Sequence, residues 1–121
     1  MARSLLWLFF RFDGRIGREV YWLANFGVVA VLAFLLQPDV HPQTGDVTFH
    51  NPTLASFALI VGMVCSIAIG VKRLHDFNAT GAFAAILLVP VLSIFATIAF
   101  GVVRGTGGKN RFGEAPNLPP R

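Results

Sequence analysis

Charge is what this chain lacks. Residues 20–38, 47–71 and 77–103 contain no Asp, Glu, Lys or Arg. Charged residues make up 13% of the whole, about half the share of an ordinary soluble domain. A soluble helix or strand covers a core on one side and meets water on the other, so its apolar residues recur at period 3.6 or 2. These runs are apolar all round, which excludes an ordinary soluble core. A helix needs about 20 predominantly apolar residues to cross about 30 Å of hydrocarbon, so the runs predict a small all-α membrane protein with three transmembrane helices.

Other absences narrow the function. No Asp, Glu, Lys, Arg or His lies within the expected spans, 20–36, 54–71 and 81–103. Ion and proton pathways usually depend on such residues, which argues against autonomous transport. The single cysteine, Cys65, excludes an intrachain disulfide and reads as a small apolar packing residue in mid-span. Acidic residues are few, six against ten basic, for a net charge of +4 and a pI near 10.2. In a soluble protein that balance would suggest nucleic acid. Here the basic residues stand at the ends of apolar runs without an interleaved basic and aromatic face, so nucleic acid is not an expected partner. The bilayer itself and anionic phospholipids are. No cofactor motif is present, because the glycines of 105–113 lack the G-x-x-x-x-G-K-[ST] spacing of a phosphate loop. Asp39, His41, Asp46 and His50 match no fixed ligand spacing, so no metal site is expected.

The chain reads as one integral membrane domain over 1–121. Residues 1–19 form a basic interfacial segment, with Leu5, Leu6, Trp7, Leu8, Phe9 and Phe10 bracketed by Arg3 and Arg11. That stretch is too short for a cleaved secretory signal and lacks the small-residue cleavage pattern. The first span is 20–36, with Tyr21 and Trp22 suited to an interface belt and Asn25 as its one strongly polar side chain. An irregular loop with Pro38, Pro42, Gly45 and Pro52 follows over 37–53. The second span, 54–71, places Ala58, Gly62, Ser66 and Gly70 on one helix face at four-residue spacing. A basic loop covers 72–80. The third span, 81–103, is expected to kink at Pro90 and carries Ser93, Thr97 and Gly101. An irregular Gly/Pro-rich tail completes the chain over 104–121. Stripes of small residues let backbones approach closely. They would serve packing of the second span on the third, a homo-oligomer, or a membrane-protein partner.

Arg3, Arg11, Arg15 and Arg18 precede the first span, and residues 37–53 contain no Lys or Arg. The N-terminus is therefore expected in the cytoplasm. Three full spans would then place Arg104, Lys109, Arg111 and Arg121 outside, whereas a re-entrant third segment would keep all ten basic residues inside. Three spans are preferred, because the two halves around Pro90 are short and only Ser93 offers a polar group near the turn.

Three blocks carry a family resemblance: FDGRIGREVYW at 12–22, KRLHD at 72–76 followed by Thr80 and Gly81, and GTGGKNRFGEAP at 105–116. In this order they resemble the YhaH-like family of small bacterial inner-membrane proteins, catalogued as a domain of unknown function. Thr80 stands where serine is common, and Ala82 and Phe83 replace an aromatic pair. The resemblance implies a bacterial inner-membrane protein and no activity.

His75 and Asp76 are the candidates for acid–base chemistry, since imidazole titrates near neutrality and a carboxylate can orient it. Neighbours on a helix point about 100° apart, so a structural cluster of Asp76 with Lys72 and Arg73 is expected in its place. Pairing of Asp76 with Arg15 or Arg18 would tie the first span to the second. Arg15, Arg18, Lys72, Arg73, Lys109 and Arg111 suit anionic headgroups. The leading reading is a non-enzymatic membrane protein with no catalytic residue. The alternative is an enzyme acting on a phosphate-bearing lipid, with His75 as acid or base and Arg15, Arg18, Arg73 and Arg111 holding the phosphate.

Overall fold

Two of the charge-free runs become long helices in a computed structural model that describes residues 1–120; Arg121, counted above with the tail, lies outside the described residues. Helix α1 is Ala2–Phe10, α2 is Arg18–Leu36 and α3 is Pro52–Asp76. At 1.5 Å per residue, α2 and α3 are about 28 and 38 Å long. Both are long and apolar enough to cross a membrane. They overrun the expected spans at their charged ends, where the helix dipole favours some of the added residues and opposes Arg18 and Asp76. Glu19 lies in the first turn of α2, and Arg73 and His75 in the last turn of α3. At its start, α3 has Pro52 in the first turn and the Asn51 side chain accepting from Leu54 N at 3.0 Å.

The connection between α2 and α3 is more regular than expected. Strands β1 (Pro38–Val40) and β2 (Val47–Phe49) pair antiparallel, with Pro38 opposite Phe49 and Val40 opposite Val47. The turn is closed by Gly45 N donating to His41 O and His41 N to Asp46 O, both at 2.9 Å. Gly45 sits there at φ +75°, a backbone region open to glycine.

The third apolar run departs from expectation. It forms a 3₁₀ helix, Gly81–Leu88, then an extended Val89, then α4, Pro90–Val102. A straight α-helix over 81–103 would hold its ends about 33 Å apart. Instead both ends meet the last turns of α3. A Cβ added at Gly81 would stand 2.7 Å from Val71 Cγ1, while Arg73 Nη2 donates to Val103 O at 2.6 Å. The chain turns back at Val89 and Pro90, so the expected kinked span is corrected to a hairpin of two short helices. Pro90 has no N–H to continue the preceding helix and suits the first turn of the next. Ser93 supplies the polar contact at the turn, its Oγ donating to Pro90 O at 2.7 Å.

Tight packing gathers at one end of the molecule. Trp7, Ile16, Tyr21, Ala24 and Ile69 form one buried cluster, and Val71, Leu74 and Ala84 another. Elsewhere large apolar side chains face outward: Phe26, Phe34, Phe57 and Phe95 are each more than 60% exposed. A continuous apolar surface of that kind suits hydrocarbon rather than water.

Candidate functional site

The last turn of α3 carries adjacent cations that serve different helices, because neighbouring residues on a helix diverge. Arg73 reaches the end of α4: its Nε donates to Phe100 O and its Nη2 to Val103 O, both at 2.6 Å. Nη1 donates to Ile16 O at 3.2 Å and pairs with Asp76 Oδ2. Two aromatic side chains of α2 complete the cap on α4, Tyr21 Oη donating to Thr97 O at 3.0 Å and Trp22 Nε1 to Gly101 O at 3.1 Å. The final carbonyls of a helix have no partner within it and carry its negative dipole end. Here a guanidinium and an indole satisfy those of Phe100 and Gly101, and the phenol adds a bond to Thr97 O one turn earlier.

Lys72 does the same for α1. Its Nζ donates to Leu8 O at 2.9 Å, to Ala68 O at 3.2 Å and to Arg11 O, and lies 5.5 Å from the centre of the Trp7 ring. Trp7 in turn donates to Asp13 O at 2.8 Å. The short helix is thus docked by its C-terminus.

Asp76 gathers the remaining parts. Arg15 Nε lies 3.3 Å from Asp76 Oδ1, opposite Arg73 on Oδ2, and both guanidiniums are fully buried. Arg15 Nη2 also donates to Thr106 O at 3.2 Å. Main-chain bonds run alongside: Ile16 N to Lys72 O at 3.3 Å, Thr106 N to Asp76 O at 2.7 Å and Asn117 N to Arg15 O at 2.8 Å. The Asn117 side chain accepts from Gly17 N at 2.8 Å. Gly105 passes so close to Asp76 that a Cβ there would collide with the carboxylate. The first block, the end of α3 and the tail form a single polar latch.

His75 closes the latch without touching the carboxylate beside it. Nδ1 donates to Gly14 O at 2.8 Å, and the ring stacks on Phe112 with centroids 3.9 Å apart and planes 4° from parallel. Asn110 Nδ2 donates to His75 O at 2.8 Å. His75 stands past the charge-free run that ends at Val71, among polar loops. Burial, aided by the nearby charges of Lys72 and Arg111, holds its imidazole below the ordinary pKa, against the opposing bond to Gly14 and the charge of Asp13.

The whole chain has known counterparts. A family model described as "Protein of unknown function (DUF805)" matches residues 9–114, taking in the first two motif blocks and most of the third. The chain belongs to the DUF805 family. Inner membrane protein YhaI of Escherichia coli (strain K12) is 26% identical over 117 residues, covering 95% of this chain and 93% of that protein. Inner membrane protein YhaH of the same organism is 30% identical over 112 residues, covering 90% and 89%. No solved structure matches.

In this DUF805 member the expected headgroup ligands divide in two. Arg15, Lys72 and Arg73 are buried and committed to carbonyls and to Asp76, so their expected contact with headgroups is corrected to an internal structural role. Arg18, Lys109 and Arg111 remain exposed. Lys109 pairs with Glu114 at 3.0 Å, and Arg111 Nη2 donates to Asn78 O at 3.1 Å. The cluster on Asp76 contains Arg73 and Arg15, whereas Lys72 points to α1. Among the small residues, Gly62 lies against Leu32 of α2, Gly70 against Leu87 of the 3₁₀ helix and Gly101 against Trp22. Ala58 is buried, while Ser66, Ser93 and Thr97 are half-buried. The packing expected between the second-span stripe and the third run is present at Gly70, on Leu87, whereas Gly62 and Gly101 both meet α2. Asn25 Nδ2 bonds Tyr21 O of its own helix at 2.8 Å, not a neighbouring helix. Sequence reasoning missed Asn110, Phe112 and Asn117, whose signal is faint because polar and aromatic residues in a glycine-rich tail usually mark a solvated turn.

Proposed function

We propose that the chain is a non-enzymatic, multi-pass inner-membrane protein. In this reading α2 and α3 cross the bilayer, the 3₁₀ helix and α4 form a re-entrant hairpin, and the latch lies on the cytoplasmic side with the N-terminus. The exposed Arg18, Lys109 and Arg111 meet anionic headgroups there, with Arg3 and Arg104 beside them. Its support is the position of the Arg73 guanidinium, which binds the entry to α2, the end of α3 and the end of α4 at once. With the latch inside, all the described Lys and Arg residues fall on the positive-inside face.

The alternative lipid-phosphate enzyme draws little from this geometry. Arg15 and Arg73 turn inward onto Asp76 and main-chain carbonyls, leaving them poorly placed to grip a phosphate. His75 lies beneath Phe112 and is fixed through Gly14. A scaffold held by its own charges is the reading the contacts support.

Thiol accessibility tests the topology. In a Cys65→Ala background, Gln43→Cys places a thiol on the exposed β1–β2 connection, and Gly107→Cys places one where a Cβ meets open space. An impermeant reagent should label position 43 in intact cells and position 107 only after lysis. Labelling of position 107 in intact cells would restore three full spans and overturn the proposal.

A further inference from the structure

Between α2 and α3 runs an apolar groove of about 340 Å³. Its inner end is closed by Phe9 and Phe10 of α1, and its outer end by Leu35 and Leu54. Along α3 it extends from Cys65 to Leu54, about 16 Å at 1.5 Å per residue. That is the depth of one leaflet, half of about 30 Å of hydrocarbon. Gly27 lies in its wall, and a Cβ there would meet nothing within 4 Å, in contrast to Gly62, where Leu32 fills the space.

Leu35 and Leu54 also line a second cavity of about 280 Å³, which adds Phe34, Gln37, His50 and Asn51. The two cavities therefore adjoin, an apolar slot beneath a mouth with a polar edge, at the β1–β2 end opposite the latch. Residues 37–53 contain Asp39 and Asp46 but no Lys or Arg. That electrostatic setting disfavours an anionic headgroup and suits one carrying an amine.

We propose that this groove binds one acyl chain of a zwitterionic, amine-headed phospholipid from the leaflet at the β1–β2 end, with the headgroup at Gln37, His50 and Asn51 and the chain running to Phe9 and Phe10. The site rests on α2 and α3 lying in the bilayer, which the thiol labelling above tests separately. The open wall at Gly27 leaves room for the chain, and each buried methylene adds to its retention.

The test uses the full chain in vesicles containing a phosphatidylethanolamine with a photoreactive group near the end of one acyl chain. Cross-linked peptides are mapped for the native protein, for Gly27→Leu and for Val31→Phe, both of which fill the groove. Gly27→Leu also replaces glycine with a better helix former, so folding is expected to persist, and thermal unfolding in detergent checks it. Cross-links should concentrate in 27–35 and 54–65 in the native protein and fall at least about five-fold in either folded variant, in line with the loss of a few buried methylenes. The same probe with a phosphatidylglycerol headgroup should label these peptides more weakly. Unchanged labelling in both folded variants, labelling spread evenly over α4, or stronger labelling by the anionic probe would overturn the proposal.

Discussion

Arg73 carries its donors into a closed set of acceptors, Ile16 O, Phe100 O, Val103 O and the Asp76 carboxylate. Removing the guanidinium leaves Asp76 with Arg15 alone and takes the donor from the carbonyls of Ile16, Phe100 and Val103, at about 1–3 kcal/mol for each one left buried and unpaired. Arg73→Met is therefore expected to lower the level of folded protein in membranes and its melting temperature in detergent. Arg73→Lys should rescue little, because an ammonium cannot reproduce the planar fork. At position 105 even a methyl group meets the Asp76 carboxylate, so Gly105→Ala should loosen the tail, read as faster trypsin cleavage after Arg104 and Lys109. His75 gives the latch a pH dependence. Its pKa lies below the unfolded value near 6.5, so the folded state binds fewer protons. Stability should hold above about pH 6.5 and decline as pH falls through that value towards the folded pKa. Melting curves of native protein and His75→Asn, which keeps a donor for Gly14 O, should differ by this component. At this scale the core of the latch was legible, since the Asp76 pairs with Arg73 and with Arg15 were both expected, but the role of the other cations was not. Basic residues flanking apolar runs read as headgroup contacts, and nothing local distinguishes an exposed Arg18 from a buried Arg15 three positions earlier.

Among the elements, α2 and α3 were the most legible, since freedom from charge over the length of a bilayer has few other causes. Their ends were less so, because charged residues continue a helix when its dipole favours them. The 3₁₀–α4 hairpin was hidden, as hydropathy is the same whether 81–103 crosses once or returns. Both ends of the run are anchored near α3, Gly81 on Val71 and Val103 on Arg73, and this is the support for the proposed return. Pro90 begins α4 but does not hold it there. Pro90→Ala is accordingly expected to leave the position-107 thiol inaccessible in intact cells, and its exposure would show that the proline alone enforces the reversal. Helix α1 depends on Lys72. Lys72→Met removes the donor shared by the carbonyls of Leu8 and Arg11, so the C-terminal end of α1 loses its anchor to α3. Trypsin should then cut faster after Arg11, an exposed site, while cleavage after Lys109 changes less.

At the scale of the molecule, the family resemblance read from three blocks has a physical counterpart. Blocks separated by about 60 and 30 residues in sequence meet in one latch, so the charged parts join the helices from one end. The alternatives for the third run were stated from charge counting, which placed all ten basic residues inside only if it re-enters. The latch supplies a reason for the proposed return, because the tail carries the partners of Arg15, His75 and Gly17. The most direct measurement joins the first block to the tail in native membranes. Gly17 N and the Asn117 side chain are 2.8 Å apart. In a Cys65→Ala background, the Gly17→Cys and Asn117→Cys pair should cross-link within one chain through a short bifunctional thiol reagent, giving a faster-migrating, non-dimeric band. Absence of that product, with both thiols reactive only from opposite sides of the membrane, would contradict the account.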